Sequence, residues 1–244
     1  MNLVLDIGNS SIKYGVFDGD HPVKVGVLNE IAINQLQSDI SGKKIKRVMI
    51  SAVAPLPPYL EKLIQGIGEV FYLDEKMQVP VKNGYETPHT LGRDRLANAC
   101  AAHVLFPGQD VLIIDAGTCL KFDFVSHDGI YSGGSISPGL KMRFKALNTF
   151  TARLPLLDPV SAPALTGKNT TASIQSGVVN GMVAEIEGFI LQYRELYPRL
   201  ELILTGGDSE FFLNQLKSRI FVAPVFTLQG LNAILQLQHH DENK

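Results

Sequence analysis

The sequence predicts an α/β fold of two similar subdomains, each a mixed sheet that opens on a β-hairpin and is covered by helices. Three observations carry this expectation. The chain begins with two runs of strand-forming residues, Leu3-Val4-Leu5-Asp6-Ile7 and Ile12-Lys13-Tyr14-Gly15-Val16-Phe17, around Gly8-Asn9-Ser10; this is the pattern of a hairpin with an Asp at the end of its first strand. The arrangement returns at Val111-Leu112-Ile113-Ile114-Asp115-Ala116-Gly117-Thr118-Cys119, followed by the strand-like run 120–125, and an internal repeat at this distance points to two related subdomains sharing a cleft. Strand and helix patterns alternate after the first hairpin, as they do in a sheet with helical cover. Pro107-Gly108 stands just before the second hairpin and divides the chain into residues 1–107 and 108–244.

In order, Pro22-Val23-Lys24-Val25-Gly26-Val27-Leu28 reads as a third strand and residues 31–40 as a short helix. A strand over 45–53 ends at Pro55, Pro57 and Pro58, and residues 59–67 form a helix with Leu60, Leu63, Ile64 and Ile67 on one face. A strand over 70–73 closes this half, and residues 79–90 are rich in turn formers. In the helix that follows, Leu96, Cys100 and Val104 recur at i, i+4 and i+8 and are expected to be its buried face, with Asp94 and Asn98 on another. Beyond the second hairpin, residues 129–139 read as a strand running into a glycine-rich loop, 140–148 as a helix and 155–166 as a proline-rich loop. The longest helix covers about 171–196, with Ile174, Val178, Met182, Ile186, Phe189 and Tyr193 as its apolar stripe. A buried strand from 202 ends in Gly206-Gly207 and leads into a helix through Lys217; a last helix spans 228–238. The polar tail 239–244 is read as disordered, its paired His239-His240 being weak grounds for a metal site.

Composition narrows the function. With 244 residues and 45% hydrophobic content the chain can bury real cores. A net charge of −2 without a basic stripe gives no footprint for nucleic acid or an anionic membrane. Cys100 and Cys119 form no Cys-x-x-Cys pair, so they read as small buried residues. The start lacks a basic segment and meets Asp6 before any secretory core, and no apolar run spans a bilayer; export and membrane insertion are not expected.

Several residues have both a plain and a chemical reading. Asp6-Ile7-Gly8-Asn9 alone is an ordinary tight turn, but repeated at Asp115 it becomes a pair of tips offering backbone N–H groups to phosphate, with a carboxylate able to hold a divalent cation through water. Asp94 between Arg93 and Arg95 either complements a helix dipole or acts as a general base beside a guanidinium that holds an anionic substrate. Gly206-Gly207 after a buried strand leaves room for a nucleotide's sugar and base. Gly177 and Gly181 can admit another helix of the same chain or of a second subunit.

In this order, Asp6-Ile7-Gly8-Asn9, Asp115-Ala116-Gly117-Thr118 and Thr205-Gly206-Gly207 resemble the two phosphate loops and the adenosine loop of the actin, sugar-kinase and Hsp70 superfamily, whose halves are ribonuclease H-like (actin-like ATPase) subdomains. More narrowly the chain resembles the type III pantothenate kinases, through residues 6–13, Tyr85 with Gly92-Arg93-Asp94-Arg95, residues 115–118, Gly134-Ser135-Ile136-Ser137-Pro138-Gly139, and Asn169-Thr170 ahead of Ile174-Gln175-Ser176-Gly177. The resemblance implies ATP-dependent phosphorylation of pantothenate to 4'-phosphopantothenate, the first step toward coenzyme A, in the cytoplasm. By it, Asp6, Ile7, Gly8, Asn9, Ser10, Ser11, Ile12 and Lys13 wrap the ATP phosphates, Asp6 orients magnesium through water, Thr118 touches the nucleotide, and Gly206 and Gly207 belong to the adenosine loop. Tyr85, Gly92, Arg93, Asp94 and Arg95 line the pantothenate pocket, with Asp94 as proton acceptor. The resemblance leaves open which arginine faces the substrate; apart from it, Arg95 is taken as the anchor for the pantothenate carboxylate and Arg93 as solvated. Asp115 matches the position of a monovalent cation, potassium or ammonium, and Thr170 a contact reaching in from the second subunit of a homodimer.

One departure stands out. Cys119-Leu120-Lys121 replaces the small hydroxyl-rich residues usual after the second phosphate loop. Lys121 can contact phosphate, compete with the monovalent cation, or point to solvent; strand alternation is taken to favour solvent. Two other functions fit the superfamily: a kinase for another small alcohol, which would lack Tyr85 with Gly92 to Arg95, and a nucleotide-binding regulatory protein, which needs no base such as Asp94.

Overall fold

Leu3, Val4, Leu5 and Ile7 of β1 (Asn2–Ile7) are all buried, so the first strand is covered on both faces and shows no polar alternation until Asp6. It is the centre of a sheet ordered β3-β2-β1-β4-β5. The hairpin partner β2 (Ile12–Asp18) and then β3 (His21–Leu28) run antiparallel, while β4 (Arg47–Ala52) and β5 (Glu69–Tyr72) are parallel to β1. Between the strands lie α1 (Ile33–Ile40) and α2 (Pro58–Ile64). A two-residue strand β6 (Lys82–Asn83), a 3-10 turn at Pro88–Thr90 and α3 (Arg93–Leu105) follow. The computed structural model describes residues 1–8, 11–28 and 33–238; Asn9, Ser10 and the tail 239–244 therefore lie outside the described residues.

The second sheet repeats the first. Its hairpin is β7 (Val111–Ala116) with β8 (Cys119–Val125), followed by β9 (Ile130–Pro138), α4 (Leu140–Thr149), α5 (Thr170–Leu196), β10 (Glu201–Thr205), α6 (Ser209–Leu213) and β11 (Phe221–Val222). The order β11-β10-β7-β8-β9 is that of β5-β4-β1-β2-β3, with β10 parallel to both β7 and β11. The expected α/β class, with hairpin-led mixed sheets under helices, is what forms.

The chain resolves into two units, one holding residues 1–108, 129–131 and 225–238, the other 109–128 and 132–224. The last helix, α7 (Phe226–Leu237), thus belongs with the first sheet, whereas the boundary drawn from sequence left it in the second half. The reason is packing. Phe226, Leu228, Leu231, Ile234 and Leu235 are buried, and α7 lies on α3, β1 and β4. At Gly230 a Cβ would come within 1.8 Å of the Ala97 carbonyl oxygen, so only glycine admits the backbone of α3 at this crossing.

That crossing also corrects the expected face of α3. Val104 is 41% exposed and Leu96 half-buried, while Ala97, Asn98, Ala99, Cys100, Ala101 and Ala102 are buried. Small residues form the face because close approach to α7 excludes large ones. Asn98, fully buried, accepts a hydrogen bond from the Thr227 hydroxyl at 2.8 Å. The helix expected to run through Lys217 is the short α6, and the Lys217 and Ser218 amides donate instead to the Glu187 carboxylate.

Candidate active site

In the first unit, β1 and β4 are in register with Asp6 opposite Ser51 and Ile7 opposite Ala52. Asp6 is half-exposed near the carboxyl end of its strand, where ligands of α/β sheets bind. Across the hairpin its partner is Lys13, and directly opposed residues share a face. The Gly8 amide donates to Ser11 O at 3.0 Å, closing the tip.

The amino end of α3 is tied to the same sheet edge, because the Arg93 guanidinium donates to Ala52 O at 2.5 Å. Gly92 is the N-cap, and Asp94 follows in the first turn, its carboxylate lying back over Gly92, where a Cβ would be 2.7 Å from Oδ1. The two arginines differ in their surroundings. Arg93 is exposed, whereas Arg95 is only 4% exposed and its guanidinium carbon lies 5.4 Å from the centre of the Tyr85 ring. Tyr85 in turn stacks on the buried Tyr131, ring centres 6.2 Å apart. Sequence reasoning did not single out Tyr131. Its signal is the pairing of β6 with the start of β9, which sets Asn83 beside Tyr131.

In the second unit, Asp115 occupies the matching place on β7. Its register partner is Lys121, and the Nζ of Lys121 stands 2.8 Å from Asp115 Oδ2, with both side chains nearly buried. The solvent-facing orientation expected for Lys121 is therefore wrong. Alternation does turn Lys121 away from Leu120 and Phe122, but the face it joins is that of Asp115. Thr118 is exposed at the tip. Gly206, at φ +95°, closes against this hairpin; a Cβ there would meet Ala116 O at 2.4 Å and Asp115 Oδ1 at 2.5 Å. The Asp208 amide donates to Ala116 O at 2.8 Å, strapping the 205–208 loop to the hairpin. Burial raises the Asp208 carboxyl above its ordinary range, with Lys141 opposing the shift. The glycine-rich segment arrives at the same tip, and Ser137 from it donates to Glu185 Oε1 at 2.5 Å, which also pairs with Arg143.

Thr170 is exposed as the first residue of α5, whose N-cap Asn169 accepts from the Ala172 amide at 2.9 Å. With Pro138, Arg143, Ala146, Leu147, Leu154 and residues of α5 it lines a mostly apolar groove of about 760 Å³. Among the described residues nothing lies within 4 Å of a Cβ built on Gly177 or Gly181, so neither glycine is packed against another described helix.

The family model for type III pantothenate kinase matches residues 2–192. The chain belongs to the type III pantothenate kinase family. Proteins named type III pantothenate kinase from Christiangramia forsetii and Phocaeicola vulgatus are each 43% identical to it, over 97% and 96% of this chain and 98% of each relative. Among solved structures, a Campylobacter jejuni protein described as a Baf family transcriptional activator superposes with a TM-score of 0.60 at 22% identity, covering 97% of this chain and 98% of that one. A Sinorhizobium meliloti protein described as a 2-dehydro-3-deoxygalactonokinase superposes with a TM-score of 0.56 at 14% identity, covering 98% and 100%. These likenesses show the fold alone.

Members of a kinase family use ATP with a divalent metal, and the first hairpin fits that use. Among the described residues no group of three or more His, Cys, Asp or Glu converges into a metal cage. Asp6, half-exposed near the carboxyl end of β1, instead suits a magnesium ion bound mainly by water and nucleotide phosphates. The second hairpin does not fit the monovalent cation that a type III pantothenate kinase is expected to hold at Asp115, because an ammonium group is already against that carboxylate. No helix among the described residues is long and apolar enough to cross a membrane.

Proposed function

We infer that the chain transfers the γ-phosphoryl group of ATP to the primary alcohol of pantothenate, giving 4'-phosphopantothenate. The observation that carries the mechanism is the tie between Arg93 and Ala52, which brings the first turn of α3 to the carboxyl end of the sheet, where Ala52 stands beside Ile7, the residue after Asp6. Transfer to an alcohol needs the hydroxyl aligned with phosphorus, charge on the phosphoryl oxygens neutralised, and an acceptor for the proton.

Each requirement has a residue. In the first unit the N–H groups around Gly8 with Lys13 receive phosphate; in the second, Thr118 touches the nucleotide and Gly206-Gly207 receives the adenosine. Magnesium, when bound, neutralises charge on the phosphates; Asp6 orients its water shell. Asp94, half-buried in the first turn of α3, accepts the hydroxyl proton. Arg95 takes the pantothenate carboxylate, since its planar fork suits two carboxylate oxygens and stacking on Tyr85 holds it in place. The open glycine face of α5 and the groove beside Thr170 support a homodimer in which Thr170 reaches the partner's substrate.

The test is direct. Purified protein given ATP, magnesium and pantothenate should yield a product heavier by one phosphoryl group, and sedimentation should show a dimer. No phosphopantothenate under any cation condition would overturn the reading.

A further inference from the structure

We propose that the ammonium of Lys121 replaces the monovalent cation at Asp115, so that this kinase carries that charge as a side chain and works without potassium or ammonium. The inference rests on the kinase reading and concerns its second hairpin.

Backbone register comes first. β7 and β8 pair antiparallel with Asp115 directly opposite Lys121, which puts both side chains on one face whatever their rotamers. The pairing repeats the first hairpin, where Asp6 stands opposite Lys13. Side-chain geometry agrees. The Nζ–Oδ2 separation of 2.8 Å is that of a charge-assisted hydrogen bond, and side-chain exposures of 13% and 10% keep water and salt from screening it.

Chemistry supplies the equivalence. An alkylammonium has the charge of potassium and the donors of free ammonium, so it can neutralise Asp115 as either ion would. Tethered on the neighbouring strand, it is present at high effective concentration at any ionic composition. The other oxygen, Oδ1, is turned toward the backbone of Gly117 and Gly206, where added Cβ atoms would come within 3.2 and 2.5 Å. A free cation would thus have to bind beside an ammonium of like charge with one carboxylate to share.

The experiment compares wild type, Lys121→Gln and Lys121→Met in potassium chloride and in choline chloride of equal ionic strength, about 100 mM, so that screening is constant. Phosphopantothenate formation, ADP binding by calorimetry and the melting temperature are read together. The wild type should change less than about twofold between the salts, with no potassium-dependent rise in melting temperature. Both variants should lose about tenfold or more in choline, in rate and in ADP affinity, and recover with potassium or ammonium, which should also raise their melting temperatures. A wild type that needs potassium, or variants indifferent to it, would overturn the proposal. If no product forms at all, the kinase reading fails, while ADP binding and melting still decide whether Lys121 excludes the cation.

Discussion

Gly206→Ala puts a methyl group into the close crossing between the 205–208 loop and the second hairpin. At φ +95° an alanine pays the left-handed penalty of about 1–2 kcal/mol. Its Cβ would also lie 2.4 Å from Ala116 O and 2.5 Å from Asp115 Oδ1, and backbone on a central strand cannot swing aside as a flexible side chain can. Overpacking of this kind costs about 1–3 kcal/mol, so the total is roughly 2–5 kcal/mol. Urea titration reads it as a lower midpoint at unchanged slope. The neighbouring Gly207→Ala is the control, because nothing lies within 4 Å of its added Cβ; it should stay within about 0.5 kcal/mol of wild type. Since the strained contact is with the Asp115 hairpin, Gly206→Ala should also weaken ADP binding by about tenfold. Equal stability of the two variants would refute the reasoning.

Three further outcomes are expected. Arg95→Lys should raise the KM for pantothenate by about tenfold and leave that for ATP unchanged in steady-state kinetics, because an ammonium can neither stack on Tyr85 nor grip a carboxylate with two parallel bonds. Tyr14→Phe should lower stability by about 1–3 kcal/mol in urea titration, since the Tyr14 hydroxyl donates to the buried Asp39 at 2.6 Å and its loss leaves Oδ2 without that donor while Gln35 still serves Oδ1. The same pair sets a pH dependence at both extremes. Burial, with Asp39 beside it, pushes Tyr14 up to about 12, so the stability it confers is complete below the ordinary phenol range near pH 10 and lost as pH rises through about 12. The bond from Tyr14 holds Asp39 below the usual carboxylate range, so its contribution is present above about pH 4 and lost on further acidification. Melting temperature against pH should show both edges in wild type, with the alkaline one absent in Tyr14→Phe.

Most of this architecture is legible in the sequence, and the misses have physical reasons. Both hairpins announce themselves because a buried strand before an Asp-x-Gly tip is a strong local pattern, and the repeat of that pattern forecasts the shared strand order. Register is not local. Alternation along β8 alone turns Lys121 to solvent; the residue across from it, Asp115, is set by a pairing that the strand's own sequence does not encode. The stripe of Leu96, Cys100 and Val104 obeys helical periodicity but loses to the alanine face, since what decides burial there is Gly230 on α7, more than a hundred residues away. Beneath Tyr85, Tyr131 escaped notice because two-residue strands such as β6 carry no pattern at all. The different surroundings of Arg93 and Arg95 follow from helix geometry: a helix turns by about 100° per residue, so arginines two apart face nearly opposite ways.

The kinetics of Asp94→Asn test the central claim, that the first turn of α3 presents the base to the alcohol. The substitution keeps size and removes the proton acceptor, so kcat should fall by about 10²–10⁴ while pantothenate and ATP still bind with wild-type affinity. A kcat within about twofold of wild type would contradict the account at its centre.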